Sequence, residues 1–161
     1  MLFRSHPPTD ATAELELLSS KLQQLYSHLL QAEREFQPPL AALELLDRLV
    51  NDPAWAWLRP LSTLIADIDH VLAQDHPPSE HDRAVVAGQL RGLITGEGDL
   101  QNEQFLSRYR PLLQLNLSLA SAHGELKGLL RALPAEPEDE SERLHARHQW
   151  AMRCKHRVHG N

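Results

Sequence analysis

A single cysteine, Cys154, occurs in the 161 residues, so no internal disulfide can form, and the chain fits a reducing compartment. Aromatic residues make up only 5% of the chain, and strand-forming Val, Ile, Tyr and Thr are scarce beside abundant Leu and Ala. That bias argues against a sheet and for helices throughout. Basic residues are outnumbered, 16 Lys and Arg against 22 Asp and Glu, which gives a formal net charge of −6. A nucleic-acid-binding surface neutralises phosphates with a basic stripe, so no nucleic-acid partner is expected. No apolar run approaches the length of a membrane span, and the first residues carry no apolar stretch of signal-peptide length. A cytoplasmic protein with no membrane partner is the simplest expectation. Glycine-rich phosphate loops, nucleophile elbows, Cys-x-x-Cys pairs and His-Glu-x-x-His are also missing, which removes every specific reason to predict an enzyme.

The remaining composition, 42% hydrophobic and 24% charged, is that of one folded domain large enough to bury a core. Residues 1–9 hold two prolines and no periodicity, and read as a flexible arm. From Thr9 or Asp10, the residues Leu15, Leu18, Leu22, Leu25, Leu29, Ala32 and Phe36 keep three-four spacing, predicting a long amphipathic first helix that Pro38 and Pro39 end. A short helix carrying Leu40, Leu43, Leu46, Leu49 and Val50 follows. Asn51 to Pro60 then reads N-D-P-A-W-A-W-L-R-P. Asp52 and Pro53 form a helix-start signal. Pro60 lacks the N–H of a continuing helix and pushes Arg59 away from α geometry, so a kink or restart there is expected to hold Trp55 and Trp57 in an elbow.

After the elbow, a helix over 60–73 presents Leu61, Leu64, Ile65, Ile68 and Leu72, and Asp75 to Pro78 form a loop. Ser79 with Asp82 marks a capping-box start for a helix burying Val85, Val86, Leu90, Leu93 and Ile94. Thr95-Gly-Glu-Gly-Asp99 is a turn. A helix with Phe105, Tyr109, Leu112 and Leu113 follows, bent or begun at Pro111. The pattern breaks near Asn116, and a last core helix over 118–133 shows Leu119, Ala122, Leu126, Leu129, Leu130 and Leu133. No core stripe extends past Leu133. Residues 134–142 hold four Glu and one Asp, whereas residues 143–157 hold five Arg or Lys and no acid. The predicted fold is all-α: one compact bundle of five or six helices over 10–133, with a mobile C-terminal tail. In that tail, 134–161, an acidic linker leads to a basic, His-rich end.

The stretch Asp52-Pro-Ala-Trp-Ala-Trp-Leu-Arg-Pro-Leu-Ser-Thr-Leu-Ile-Ala-Asp-Ile-Asp69 contains the motif D-P-x-x-A-W-L-R-P-L-S. Together with Phe105-Leu-Ser-Arg-Tyr109 and Ala122-His-Gly-Glu-Leu126, it resembles a group of uncharacterised bacterial all-helical proteins. The resemblance covers roughly residues 12–133 and implies a bacterial helical domain. It carries no activity, cofactor or partner with it.

Five clusters merit weighing as sites. Asp67-Ile-Asp-His70 has the carboxylate-x-x-His step of di-iron bundles, but at about 100° per residue His70 lies about 160° from the apolar direction of its helix, which indicates a solvated face. His123 and Glu125 lie about 160° apart on the last core helix and cannot form one site; His123 fits a boundary position bonded to a carbonyl or carboxylate. On the other face of that helix, Ala120, Gly124 and Gly128 make a small-residue ridge. Glycine in mid-helix costs about 1 kcal/mol against alanine, so the ridge predicts close backbone approach, either by a neighbouring helix of the same chain or by a second copy. Trp55 and Trp57, two residues apart, point in different directions. Both can be core, or one can serve as a partner-binding anchor.

In the tail, His145, His148, Met152, His156 and His159 would fall within about 80° on a continuous helix, with Cys154 opposite. Histidine pairs at i and i+3 can share a divalent metal, although two imidazoles are an incomplete site. The alternative is a flexible basic tail that folds back on the acidic linker. The leading functional expectation is a non-enzymatic interaction or regulatory module that binds a protein partner or itself through a helical face. The alternative is a metal- or small-ligand-binding bundle.

Overall fold

The computed structural model describes residues 10–35, 43, 44, 46, 47 and 53–159, with backbone alone for 53, 54 and 155–159. The described residues form six α-helices: α1 (Asp10–Arg34), α2 (Arg59–Leu72), α3 (Glu80–Ile94), α4 (Glu103–Leu115), α5 (Leu117–Ala132) and α6 (Glu140–His159). A 3-10 turn (Pro53–Leu58) leads into α2, and no strand occurs among the described residues. The architecture is an all-α bundle, as the shortage of β-branched and aromatic residues predicts.

The long α1 is the spine. Its stripe Leu15, Leu18, Leu22, Leu25, Leu29 and Ala32 is buried, while Phe36 lies outside the described residues. It packs chiefly against α2 and α5. Polar contacts tie it to four helices around it. Ser19 Oγ donates to Asp69 Oδ1 of α2 at 2.7 Å, Arg83 of α3 reaches Glu14 at 2.8 Å, Arg108 of α4 reaches Glu33 at 2.8 Å, and Lys21 reaches Glu125 of α5 at 2.9 Å. Backbone is helical at Leu43, Glu44, Leu46 and Asp47, where both leucines are exposed. Leu40, Leu49 and Val50 of the expected second helix lie outside the described residues.

Local signals account for most helix ends. Ser79 and Asp82 form the capping box, with Asp82 N donating to Ser79 Oγ and Ser79 N to Asp82 Oδ2, both at 3.0 Å. Gly96 and Gly98, at φ +75° and +85°, turn the chain after α3. Asn116 ends α4 and caps α5, its side chain accepting from Leu119 N at 3.1 Å. Pro111 sits inside α4.

Two expectations need correction. Pro60 does not push Arg59 out of α geometry: α2 starts at Arg59, so Pro60 falls in its first turn, where the missing N–H had no acceptor to lose. The core also does not stop at Leu133. On α6, Ala146, Trp150 and Cys154 are buried and join the same apolar cluster. Their four-residue spacing carries only one large apolar side chain, too sparse a stripe to stand out among arginines.

Candidate functional site

Leu117, at the start of α5, is the most exposed large apolar side chain of the described residues. Extended backbone at Asn116 (φ −132°, ψ 113°) turns the chain between α4 and α5, and throws out the leucines on either side. Leu115 is 79% and Leu117 87% exposed. Along α5, Leu119, Ala122, Leu126 and Leu130 are buried. At about 100° per residue, Leu117, Gly124 and Gly128 lie on the diametrically opposite line, within about 40° of one another. Ala120 and Ser121 flank that line and are exposed.

A Cβ placed on Gly124 or Gly128 would find no described atom within 4 Å. Among the described residues, therefore, no neighbouring helix of the same chain packs against the ridge. Close approach within the bundle occurs instead at Gly88 and Gly92 of α3. A Cβ on Gly88 would strike the Glu136 carboxylate, and one on Gly92 would strike the Leu100 carbonyl, with Leu100 C at 2.6 Å. Their four-residue spacing matches the α5 ridge, so spacing alone cannot tell an internal contact from an open one.

Both indoles of the elbow are core. Trp55 and Trp57 are 1% and 2% exposed, so neither presents a surface anchor for a partner. In a 3-10 turn they stand about 120° apart, and the surrounding helices cover both directions. Trp57 starts an aromatic ladder: its ring lies 5.4 Å from Phe105, which lies 5.1 Å from Tyr109, which lies 5.6 Å from His123. Arg108 sits over Trp57 at 5.6 Å. At the far end Tyr109 Oη is hydrogen-bonded to His123 Nδ1 at 2.7 Å, tying α4 to α5. Burial pushes the Tyr109 phenol well above its usual range, and burial together with Lys127 lowers the pKa of His123. His123 is half-buried as expected, but its partner is a phenol in place of the carbonyl or carboxylate anticipated. A phenol protonated at neutral pH makes this pair a structural link, with no activated nucleophile in it.

Of the carboxylate-x-x-His step on α2, Asp69 is exposed and taken up by Ser19, whereas Asp67 and His70 are half-buried. Among the described residues, no three His, Cys, Asp or Glu side chains converge as a metal site requires. His145 and His148 are exposed on α6, opposite the buried Cys154. The side chains of His156 and His159 lie outside the described residues, but the helix carrying them runs unbroken to His159.

A cleft of about 340 Å³ lies between the start of α3 and α6, lined by Ser79, Glu80, His81, Asp82, Ala146, Gln149 and Arg153. Its buried acid is fully engaged, since Asp82 caps α3 and pairs with Arg153 at 2.5 Å. No described helix is long and apolar enough to cross a membrane. Comparison with known proteins finds no matching family, no matching curated protein and no matching solved structure.

Proposed function

We propose that this protein is a non-catalytic helical module that pairs with a second copy of itself through the outward face of α5. One observation carries the reading: the line opposite the buried stripe of α5 holds a leucine 87% exposed at one end and two uncovered glycines further along. Two mid-helix glycines cost about 2 kcal/mol together against alanine, and no internal contact among the described residues offsets that. The face is self-complementary. Leu117 and Gly128 are about 16 Å apart along the axis and within about 20° around it. A two-fold axis midway between them sets each Leu117 over Gly128 of the partner subunit, filling two hollows with two knobs. Gly124 lies near the centre, where the backbones come closest.

Light scattering on Gly124→Leu tests this. The open space at Gly124 leaves the variant folded, and the inserted side chain holds the two helices apart, so the variant runs as a monomer while the wild type runs as a dimer. A wild type that stays monomeric at high micromolar concentration overturns the reading.

A second reading rests on α6. Its helical path sets residues 145, 148, 152, 156 and 159 on the face opposite Cys154, and His145 and His148 are exposed there. Such a pair can hold a divalent ion of the zinc or nickel type, with its remaining ligands from water or a second copy.

A further inference from the structure

Helix α6 is attached differently from the other five. It packs mainly on α2 and α3, whereas α1 is held by α2, α3, α4 and α5. Among its described side chains, those buried in the core form one ridge, Ala146, Trp150 and Cys154. Charge does much of the rest. Arg147 Nη2 lies 2.6 Å from Glu136 Oε1 and 2.9 Å from Asp99 Oδ1, joining the turn after α3, the linker and α6 at one guanidinium. Arg143 pairs with Asp99 at 3.7 Å and donates to the carbonyls of Pro137 and Glu138. Arg153 pairs with Asp82 and donates to Gln74. Docking also buries the Trp150 Nε1 donor with no acceptor among the described residues, as happens at Trp55 and Trp57 too. The segment between α5 and α6 contains Pro134 and Pro137 and has no helix of its own. It tethers α6 without continuing α5.

From this arrangement we propose that α6 is a latch, releasing from α2 and α3 and redocking as a unit while α1 to α5 stay folded, with Arg147 as its pin. A helix seated on one flank, with few buried apolar contacts and several partly exposed ion pairs, opens at a lower free energy than one packed on every side. Release takes Trp150 and Cys154 from the core into water and uncovers the apolar strip of α2 and α3 beneath them. Salt favours release, because Asp99 is half-exposed and its pairing with Arg147 and Arg143 is screened. Arg147 with Glu136 is better shielded, and the Glu136 carboxylate lies against Gly88 of α3, so losing Arg147 frees α6 from both Asp99 and the linker seated on α3.

The test is alkylation of Cys154, the only thiol, by iodoacetamide in the native full-length chain, followed by mass spectrometry. Arg147→Gln should speed labelling by about tenfold or more, and raising NaCl from about 0.1 M to 1 M should speed the wild type, while far-ultraviolet dichroism shows the helices still formed. Leu22→Ala, which weakens the whole core, should leave the labelling rate within about twofold of wild type. Labelling that rises with Leu22→Ala, or that ignores Arg147→Gln, makes α6 part of the global unfolding unit and overturns the latch. Should Arg147→Gln fail to fold, hydrogen exchange on the wild type decides. Amides of α6 that exchange faster than those of α1 support the latch, and equal protection overturns it.

Discussion

A Cβ added at Gly92 would meet the Leu100 carbonyl, because the turn through Gly96 and Gly98 brings the chain back across α3. A backbone atom cannot swing aside as a side chain can, so Gly92→Ala should destabilise by about 1–3 kcal/mol. Gly124→Ala meets no described atom and gains helix propensity, so it should stabilise the monomer by up to about 1 kcal/mol. Chemical denaturation of the two variants reads both signs. His123 is a second residue whose surroundings set its behaviour. Burial and Lys127 lower its folded pKa, so the unfolded chain takes up the proton first. Its contribution is present above the unfolded value of about 6.5 and lost as pH falls through the lower folded value. The denaturation midpoint should therefore fall with decreasing pH below about 6.5, and less steeply in His123→Gln. Equal pH slopes would remove His123 as a source.

Among the elements, α1 should respond most to truncation. Leu22 is fully buried at the centre of its stripe, and Leu22→Ala should cost about 2–5 kcal/mol. Lys21, one position away, holds only a partly exposed pair with Glu125, so Lys21→Ala should cost about 1 kcal/mol or less. Similar midpoints for the two would contradict the orientation of α1. For α6, zinc or nickel titration of the wild type should show binding that His145→Ala with His148→Ala abolishes. That binding should fade below about pH 6, where imidazole protonates and ceases to be a ligand. No heat of binding at a dissociation constant tighter than about 100 μM would end the metal reading.

For the molecule as a whole, the proposed pairing through α5 would link folding to concentration. Stabilisation of a dimer grows with protomer concentration, so the wild-type thermal midpoint should rise on tenfold dilution series read from low to high micromolar. Leu117→Glu replaces the exposed knob with a charge, and should abolish that dependence while leaving the dilute midpoint close to wild type. A concentration-independent wild type would argue for a monomer. The same tertiary arrangement packs α6 mainly on two helices, so the proposed pairing face and the proposed latch lie on separate parts of one core.

Periodicity determined much of this protein in advance. The stripes of α1, α3 and α5 and the capping box at Ser79 were legible because each depends on neighbours within one or two turns. The same holds for the break at Asn116. What lay beyond reach were pairings between residues far apart in the chain. Asp82 looks like a cap and is also the seat of Arg153. His123 finds Tyr109, and Arg147 gathers Asp99 with Glu136. Glycines at four-residue spacing occur on both α3 and α5, yet only the packing of the whole chain covers one pair and leaves the other open. Local sequence sets which face of a helix is apolar, but the position of every other helix decides what that face meets. That is why Trp55, Trp57 and Trp150 became core, and the ridge of Gly124 and Gly128 became surface.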